Sequence, residues 1–260
     1  MSNPLDFSNR AVLVTGGGRG IGRGIAEAFL AAGAEVAVCG RNEPDHLPQG
    51  NGRRAIFVGA DLRDAEQVET MVDEVAARLG RLDVLVNNAG GAPFADAATA
   101  SPRFSEKVVQ LNLVAALHCA QQANRVMQHQ GTGGSIINIA SVSGVRPSPG
   151  TAAYGAAKAG LINLTGSLAI EWGPKVRVNV VSAGMIRTEQ AHLHYGDDEA
   201  IARVADTVPL KRLGTPGDVA GACLYLASPL ASYVSGANLV LHGGGETPAF
   251  LSAAGVNRGE

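Results

Sequence analysis

Cysteine is scarce. Cys39, Cys119 and Cys223 stand far apart in apolar surroundings, so the sequence offers neither a disulfide framework nor a metal-ligand spacing, and each reads as a small core residue. Charge is also scarce: 17% of residues are Asp, Glu, Lys or Arg, and the net charge is −2. The Lys and Arg residues are scattered, and without a basic stripe to track a phosphate backbone nucleic acid is not expected as a partner. No apolar run approaches bilayer length, and the segment from Met1 to Arg10 has no basic stretch followed by an apolar one. A soluble, cytoplasmic protein with no membrane partner is expected. Repeats, low-complexity linkers and composition breaks are absent too, so residues 1–260 are expected to form one domain, with a tail of small residues over 246–260.

What is abundant is buriable surface. Apolar residues make up 46% of the chain, enough to fold with so little charge repulsion. Short β-rich runs at Ala11 to Thr15, Glu35 to Cys39, Ala55 to Gly59, Val84 to Asn87, Ser135 to Ala140, Arg177 to Val181 and Asn238 to Leu241 alternate with stretches of helical period. Those stretches are Gly22 to Ala32, Ala65 to Leu79, Arg103 to Gln128, Ala152 to Trp172 and Gly217 to Ala227. The alternation predicts a parallel sheet covered by helices on both faces. Between Asn42 and Arg54, two prolines and two glycines break helical continuity, and a loop is expected.

The first strand runs into TGGGRGIG, Thr15 to Gly22, and then into a helix with Ile25, Ala26, Phe29 and Leu30 on one face. Strand, glycine turn and helix start together suit a diphosphate. Gly16 permits the turn, Gly20 admits a phosphate to the backbone, Gly22 allows close helix packing, and the helix N-terminus offers free N–H groups. A glycine cluster alone would also fit a flexible turn; the flanking strand and helix favour the ligand reading.

Ser141 follows the fifth strand, and Tyr154 and Lys158 stand at i and i+4 on the next helix, one turn apart on one face. Tyrosine ordinarily titrates near pH ~10, so a phenolate near neutrality needs about three pKa units, or about 4 kcal/mol, of differential stabilisation. A nearby ammonium can contribute on that scale. Taken singly, each residue has a plainer reading, the serine as a turn residue and the Tyr-Lys pair as a surface stripe. Together at the C-terminal edge of a parallel sheet they suit proton transfer beside a hydride-carrying cofactor.

These motifs closely resemble the short-chain dehydrogenase/reductase family over most of the chain, from Thr15 to Gly244. The resemblance implies a single-domain, Rossmann-like three-layer α/β fold on a seven-stranded parallel sheet. It implies Tyr154 as acid/base, Lys158 on the nicotinamide ribose, Ser141 orienting the substrate oxygen, and Asn112 supporting proton transfer, although Asn112 by itself reads equally well as a buried helix amide. It further implies cofactor contacts from Thr15, Gly16, Gly18, Arg19, Gly20, Ile21 and Gly22 in the turn, and from Asp61 and Leu62 after the third strand. Asn88, Ala89 and Gly90 in the NNAG motif, and Gly184, Ile186 and Thr188, complete that set. Ala183 replaces the proline usual in the family before Gly184, which is expected to loosen that turn, and His242-Gly243-Gly244 replaces its acidic-Gly-Gly.

The expected activity is hydride transfer between a nicotinamide and a carbonyl or alcohol substrate, with no metal. The alternative is a catalytically silent nicotinamide-binding sensor on the same fold, which would have no need of Tyr154 and Lys158; a methyltransferase would share the glycine turn but not that pair. The substrate is expected among Gly91 to Phe94, Val142 to Thr151 and the segment over 185–212. NADP(H) is expected to be preferred over NAD(H). The second strand ends Val38-Cys39-Gly40-Arg41, with glycine where an NAD-selective carboxylate would stand and Arg41 next to it, ready for a 2′-phosphate, with Arg19 nearby. A homotetramer with two-fold axes, paired through Arg103 to Gln128 and Ala152 to Trp172, follows from the family resemblance.

Overall fold

A computed structural model describes residues 3–253. Seven strands form one parallel sheet: β1 (Ala11–Thr15), β2 (Glu35–Gly40), β5 (Ile56–Gly59), β6 (Val84–Asn87), β7 (Gly134–Ser141), β8 (Val176–Ala183) and β9 (Asn238–Leu241), in the order β5-β2-β1-β6-β7-β8-β9. Connections after β1 run outward to β2 and β5, then cross back to β6 on the other side. The loops leaving β1 and β6 therefore diverge and open a crevice at the C-terminal edge of the sheet.

Side chains alternate across the strands and divide the core in two. Val12 and Val14 face one side with Val36, Val38, Val84 and Val86, packing on α1 (Gly20–Ala31) and α8 (Pro216–Ala227). Leu13, Ala37, Leu85 and Ile136 face the other, packing on α2 (Ala65–Leu79), α4 (Ala115–His129) and α5 (Ala152–Trp172). The result is the three-layer architecture that the alternating pattern predicts.

Several boundaries differ from those expectations. The fifth and sixth strands are longer, so β7 ends on Ser141 and β8 on Ala183. The stretch from Arg103 to Gln128 is not one uniform helix: α3 (Pro102–Val109) passes through a π-helical turn over Gln110–Val114 into α4. The segment over 42–54 is not all loop. It carries a small hairpin of β3 (Gln49–Gly50) and β4 (Arg53–Arg54), whose turn residues Asn51 and Gly52 have φ of 50° and 71°. An Asn-Gly pair is the turn signal for such a hairpin; it lies close on α1, where a Cβ on Gly50 would stand 2.7 Å from the Glu27 carbonyl oxygen. The segment after β8 folds into α6 (His192–Tyr195) and α7 (Asp198–Thr207), and α9 (Ala249–Ala253) follows β9. Of the expected tail over 246–260, residues 254–260 lie outside the described residues. All three cysteines are buried and free, as expected of core residues; burial pushes the Cys39 and Cys223 thiols up to about 12.

One buried carboxylate ties the start of the sheet together. Asp83 is 4% exposed and accepts from the Ala11 N–H at 2.9 Å, from Arg10 Nη1 at 2.9 Å, and from Arg81 Nε and Nη2 at 2.6 Å each. Two half-exposed arginines thus converge on an acid at the mouth of β1 and β6. Replacing Asp83 by Ala would leave those donors without their acceptor, and urea denaturation is expected to show a loss of about 3 kcal/mol; a loss below about 1 kcal/mol would make the cluster an ordinary surface pair.

Candidate active site

The crevice edge is built first by Thr15, the last residue of β1. Its Oγ1 accepts from the N–H groups of Asn88 and Ala89, both at 3.0 Å, while Asn88 Nδ2 donates to the Thr15 carbonyl at 2.9 Å and the Gly16 carbonyl at 3.3 Å. Thr15 and Asn88 therefore brace the glycine turn against the end of β6. Gly16 and Gly20 have φ of 63° and 52°, which L side chains rarely adopt. A Cβ on Gly22 would collide with Asn88 Nδ2 and the Gly16 carbonyl oxygen. Gly18 lies under Pro44, Arg19 is the N-cap of α1, and Ile21 is half-buried in the first turn. The N-cap side chain makes no capping hydrogen bond and the first turn holds no acid, so α1 supplies no cap of its own to its N-terminal N–H groups, an end of the kind that suits a diphosphate.

Beyond the ends of β2 and β5 lie Arg41 and Asp61. Arg63 binds both oxygens of Asp61, at 2.9 and 2.5 Å. This contact, with Arg41 adding a smaller attraction, holds the Asp61 carboxyl down at about 2. Leu62 points into the core, 6% exposed, which leaves its backbone alone for a ligand. Both guanidiniums thus act on the Asp61 carboxylate, and Asp64 stands near enough to act on it as well.

Across the crevice, Ser141 ends β7 and Tyr154 lies in the first turn of α5. Gly155 lets this helix close on the loop after β7, since a Cβ there would stand 2.8 Å from the Ser143 carbonyl oxygen. Burial raises the Tyr154 phenol above its ordinary value, and a hydrogen bond with Ser141 pulls it partly back. Lys158, 3% exposed, donates from Nζ to the Ile139 carbonyl at 2.8 Å and stands 5.6 Å from the centre of the Tyr154 ring. Burial lowers its ammonium to about 8. Burial is thus the main influence on both groups, raising the phenol and lowering the ammonium.

Asn112 falls inside the π-helical turn, and its side-chain amide is fully occupied by backbone. Oδ1 accepts from the Gly91 N–H at 2.8 Å, while Nδ2 donates to the Gly91 and Val108 carbonyls at 2.9 Å. It fixes the loop after β6 beside Lys158. Gly90 makes room for both: a Cβ there would lie 2.5 Å from Asn112 Oδ1 and 3.2 Å from Lys158 Nζ. Gly184 donates to the Leu241 carbonyl at 2.8 Å, Ile186 is buried, and Thr188 stands over Gly20. Ala183 ends β8, in register between Ser141 of β7 and Leu241 of β9. His242, just past β9, accepts from the Gly245 N–H at 3.1 Å as a turn residue.

Several contacts at the site had no local signal in the sequence, although Glu189 and Tyr195 fall in the expected substrate segment over 185–212. Glu189 Oε1 accepts from the Gly20 N–H at 2.9 Å. Tyr195, whose phenol is raised first by burial and then by Tyr154 and Glu246, shares the space around Tyr154. Glu246 forms an ion pair with Arg146, and Thr247 donates to the Thr207 carbonyl at 3.2 Å, so the chain after β9 straps α7 to the loop after β7. None of these carries a local motif; separations of 100 and 169 residues join the partners. A cavity of about 70 Å³ adjoins Tyr154, with Ala92, Ala95, Phe104, Val108 and Thr151 among the residues of its wall. Among the described residues no cluster of His, Cys, Asp and Glu could hold a metal, and no helix is long and apolar enough to cross a membrane.

Residues 16–246 match a family model described as enoyl-(acyl carrier protein) reductase. The chain is 38% identical over 247 residues to an L-rhamnose 1-dehydrogenase (NAD(P)(+)) of Azotobacter vinelandii, covering 91% of this chain and 96% of that protein. It is 35% identical over 245 residues to a 3alpha-hydroxysteroid dehydrogenase of Mediterraneibacter gnavus, covering 91% and 97%. The solved structure of an aldohexose dehydrogenase from Thermoplasma acidophilum superposes with a TM-score of 0.86 at 29% identity, covering 98% of this chain and 99% of that one. The matched motifs, the doubly wound sheet and relatives of near-equal length lead to one assignment: the chain belongs to the short-chain dehydrogenase/reductase family and is an NAD(P)-dependent oxidoreductase acting on alcohol and carbonyl groups.

Proposed function

We propose that Tyr154 is the catalytic acid/base, that Ser141 orients the reacting oxygen, that Lys158 holds the nicotinamide ribose and stabilises the phenolate, and that Asn112 is a positioning residue. The observation that carries this reading is a half-buried tyrosine flanked by a serine hydroxyl and a buried ammonium at the crevice edge. A bound nicotinamide supplies or accepts the hydride. With its pKa raised, the Tyr154 phenol is protonated at neutral pH, ready to donate to a carbonyl oxygen as that oxygen gains charge. In the opposite direction Tyr154 must first lose its proton, and the Lys158 ammonium opposes the cost of the buried phenolate.

The proposed diphosphate site is the glycine turn, Thr15 to Gly22, with Asn88, Ala89 and Gly90 bracing it and Gly184, Ile186 and Thr188 closing over it. Asp61 and Leu62 would line the adenine side, the latter by its backbone. NADP(H) is the proposed preferred cofactor, supported by the absence of a carboxylate at Gly40, the last residue of β2, and by Arg41 directly after it. The whole chain is read as one cytoplasmic domain, consistent with three unpaired cysteines, and as a homotetramer. Two separate surfaces support the tetramer. One is the α4 and α5 face, with Ile170 86% exposed on α5; the other is the edge beside β9, where Tyr233 is fully exposed and Leu230, Leu239 and Val240 are partly so. An edge strand of apolar residues requires a cover, and two isologous faces generate a tetramer with two-fold axes.

Tyr154→Phe keeps the ring packing and removes the proton. Turnover is expected to fall at least ~100-fold while cofactor affinity stays within about twofold. In the parent protein alcohol oxidation should accelerate and carbonyl reduction slow as pH rises, because the raised phenol pKa keeps the donor form dominant at neutral pH; a Phe variant with near-normal turnover would remove the mechanism. Comparing kcat/KM for NADPH and NADH should show the preference for NADPH falling about 10- to 100-fold in Arg41→Ala, whereas an unchanged ratio would assign the arginine to adenine stacking. Light scattering at micromolar concentration should give a four-chain mass, and a stable monomer would count against the tetramer.

A further inference from the structure

Glu189 lies on the segment after β8, yet its carboxylate closes a gap at the start of α1. Two of the helices around the sheet carry their own caps: Asp64 accepts from two N–H groups of α2, and Thr215 and Asp218 form a capping box on α8. The α1 N-terminus has none, and Glu189 Oε1 accepts from its Gly20 N–H at 2.9 Å from 169 residues away. Thr188 stands directly above, with Cγ2 3.6 Å from where a Cβ on Gly20 would be. A carboxylate at a helix N-terminus gains from the aligned peptide dipoles as a phosphate does, and the two anions cannot share one N–H.

We propose that Glu189 is an affinity-setting residue of the cofactor site: its carboxylate occupies the α1 N-terminus and must be displaced by the incoming diphosphate. The inference rests on the reading of the glycine turn as the diphosphate site. The cofactor's affinity is then reduced by whatever the Glu189 contact contributes, and binding lifts Glu189 off the turn together with the chain leading to α6 and Tyr195. Diphosphate capture and the arrangement of the substrate side thereby become one event. Charge is the decisive property, because a neutral amide at 189 would hold the N–H more weakly and would not repel the phosphates.

Fluorescence titration of NADPH against the parent protein and Glu189→Gln tests this without any turnover. The variant is isosteric and exposed, and its fold is checked by its melting temperature. The dissociation constant is expected to fall about three- to tenfold. ADP-ribose, which carries the diphosphate, should tighten equally, while adenosine 2′-monophosphate, which lacks it, should not respond. An unchanged or weaker NADPH affinity in the variant overturns the proposal, as does equal tightening of adenosine 2′-monophosphate, which would reduce the effect to general charge. Competition of millimolar inorganic pyrophosphate with NADPH in the parent protein separates the two readings. If pyrophosphate competes and Glu189→Gln has no effect, the diphosphate site stands and the role of Glu189 falls; if it does not compete, both fall.

Discussion

The crevice edge is organised around one ammonium group, that of Lys158, kept out of water. Its burial lowers the group to about 8, which corresponds to a cost on the order of 3 kcal/mol for the charged form. Much of the surrounding architecture answers that cost. The Ile139 carbonyl in β7 accepts from Nζ, Gly90 leaves the space that a side chain would fill, and Asn112 fixes the neighbouring loop through both halves of its amide. A fold selected for stability alone would place an apolar residue at 158. The lysine is intelligible as a group held ready beside Tyr154.

Holding α5 in place requires more than apolar packing. A polar ladder crosses the interior: Asn87 Nδ2 donates to Asn138 Oδ1 at 3.0 Å, and Asn138 Nδ2 donates to Thr165 Oγ1 at 2.9 Å. The hydroxyl of Thr165 then donates to the Leu161 carbonyl of the same helix at 2.8 Å. Hydrogen bonds of this kind have directional requirements that dispersion contacts lack. They set the position of α5 along β6 and β7, and so where Tyr154 and Lys158 arrive relative to Ser141. On the other side of the crevice Thr15 and Asn88 do the same for the glycine turn. Both halves of the site are thus referenced to β6, the strand where the connections reverse.

Much of this was legible from local pattern. The glycine turn, the Tyr154 and Lys158 pair at helical spacing, Ser141 after its strand, and the missing acid at Gly40 are all short-range features, and short-range geometry fixes their meaning. The hairpin at Asn51 and Gly52 had a local signal as well, hidden by the neighbouring prolines. The π-helical turn had none that the residues Gln110 to Val114 display; within it Asn112 bonds the distant Gly91 backbone.

Sequence alone determined the order of strands and helices, because burial on both faces of a parallel sheet leaves its period and its apolar runs in the chain. It also fixed which residue types stand at the strand ends, and with them the reaction class. Tertiary structure decided which of those groups are charged, paired or occupied. Arg63 claims Asp61, the phenol of Tyr154 rises with burial despite its lysine neighbour, and Glu189 reaches the α1 N-terminus from a distant segment. The physical reason is that solvation and ion pairing depend on distance in space, and separations such as the 169 residues between Gly20 and Glu189 leave no trace in the local pattern.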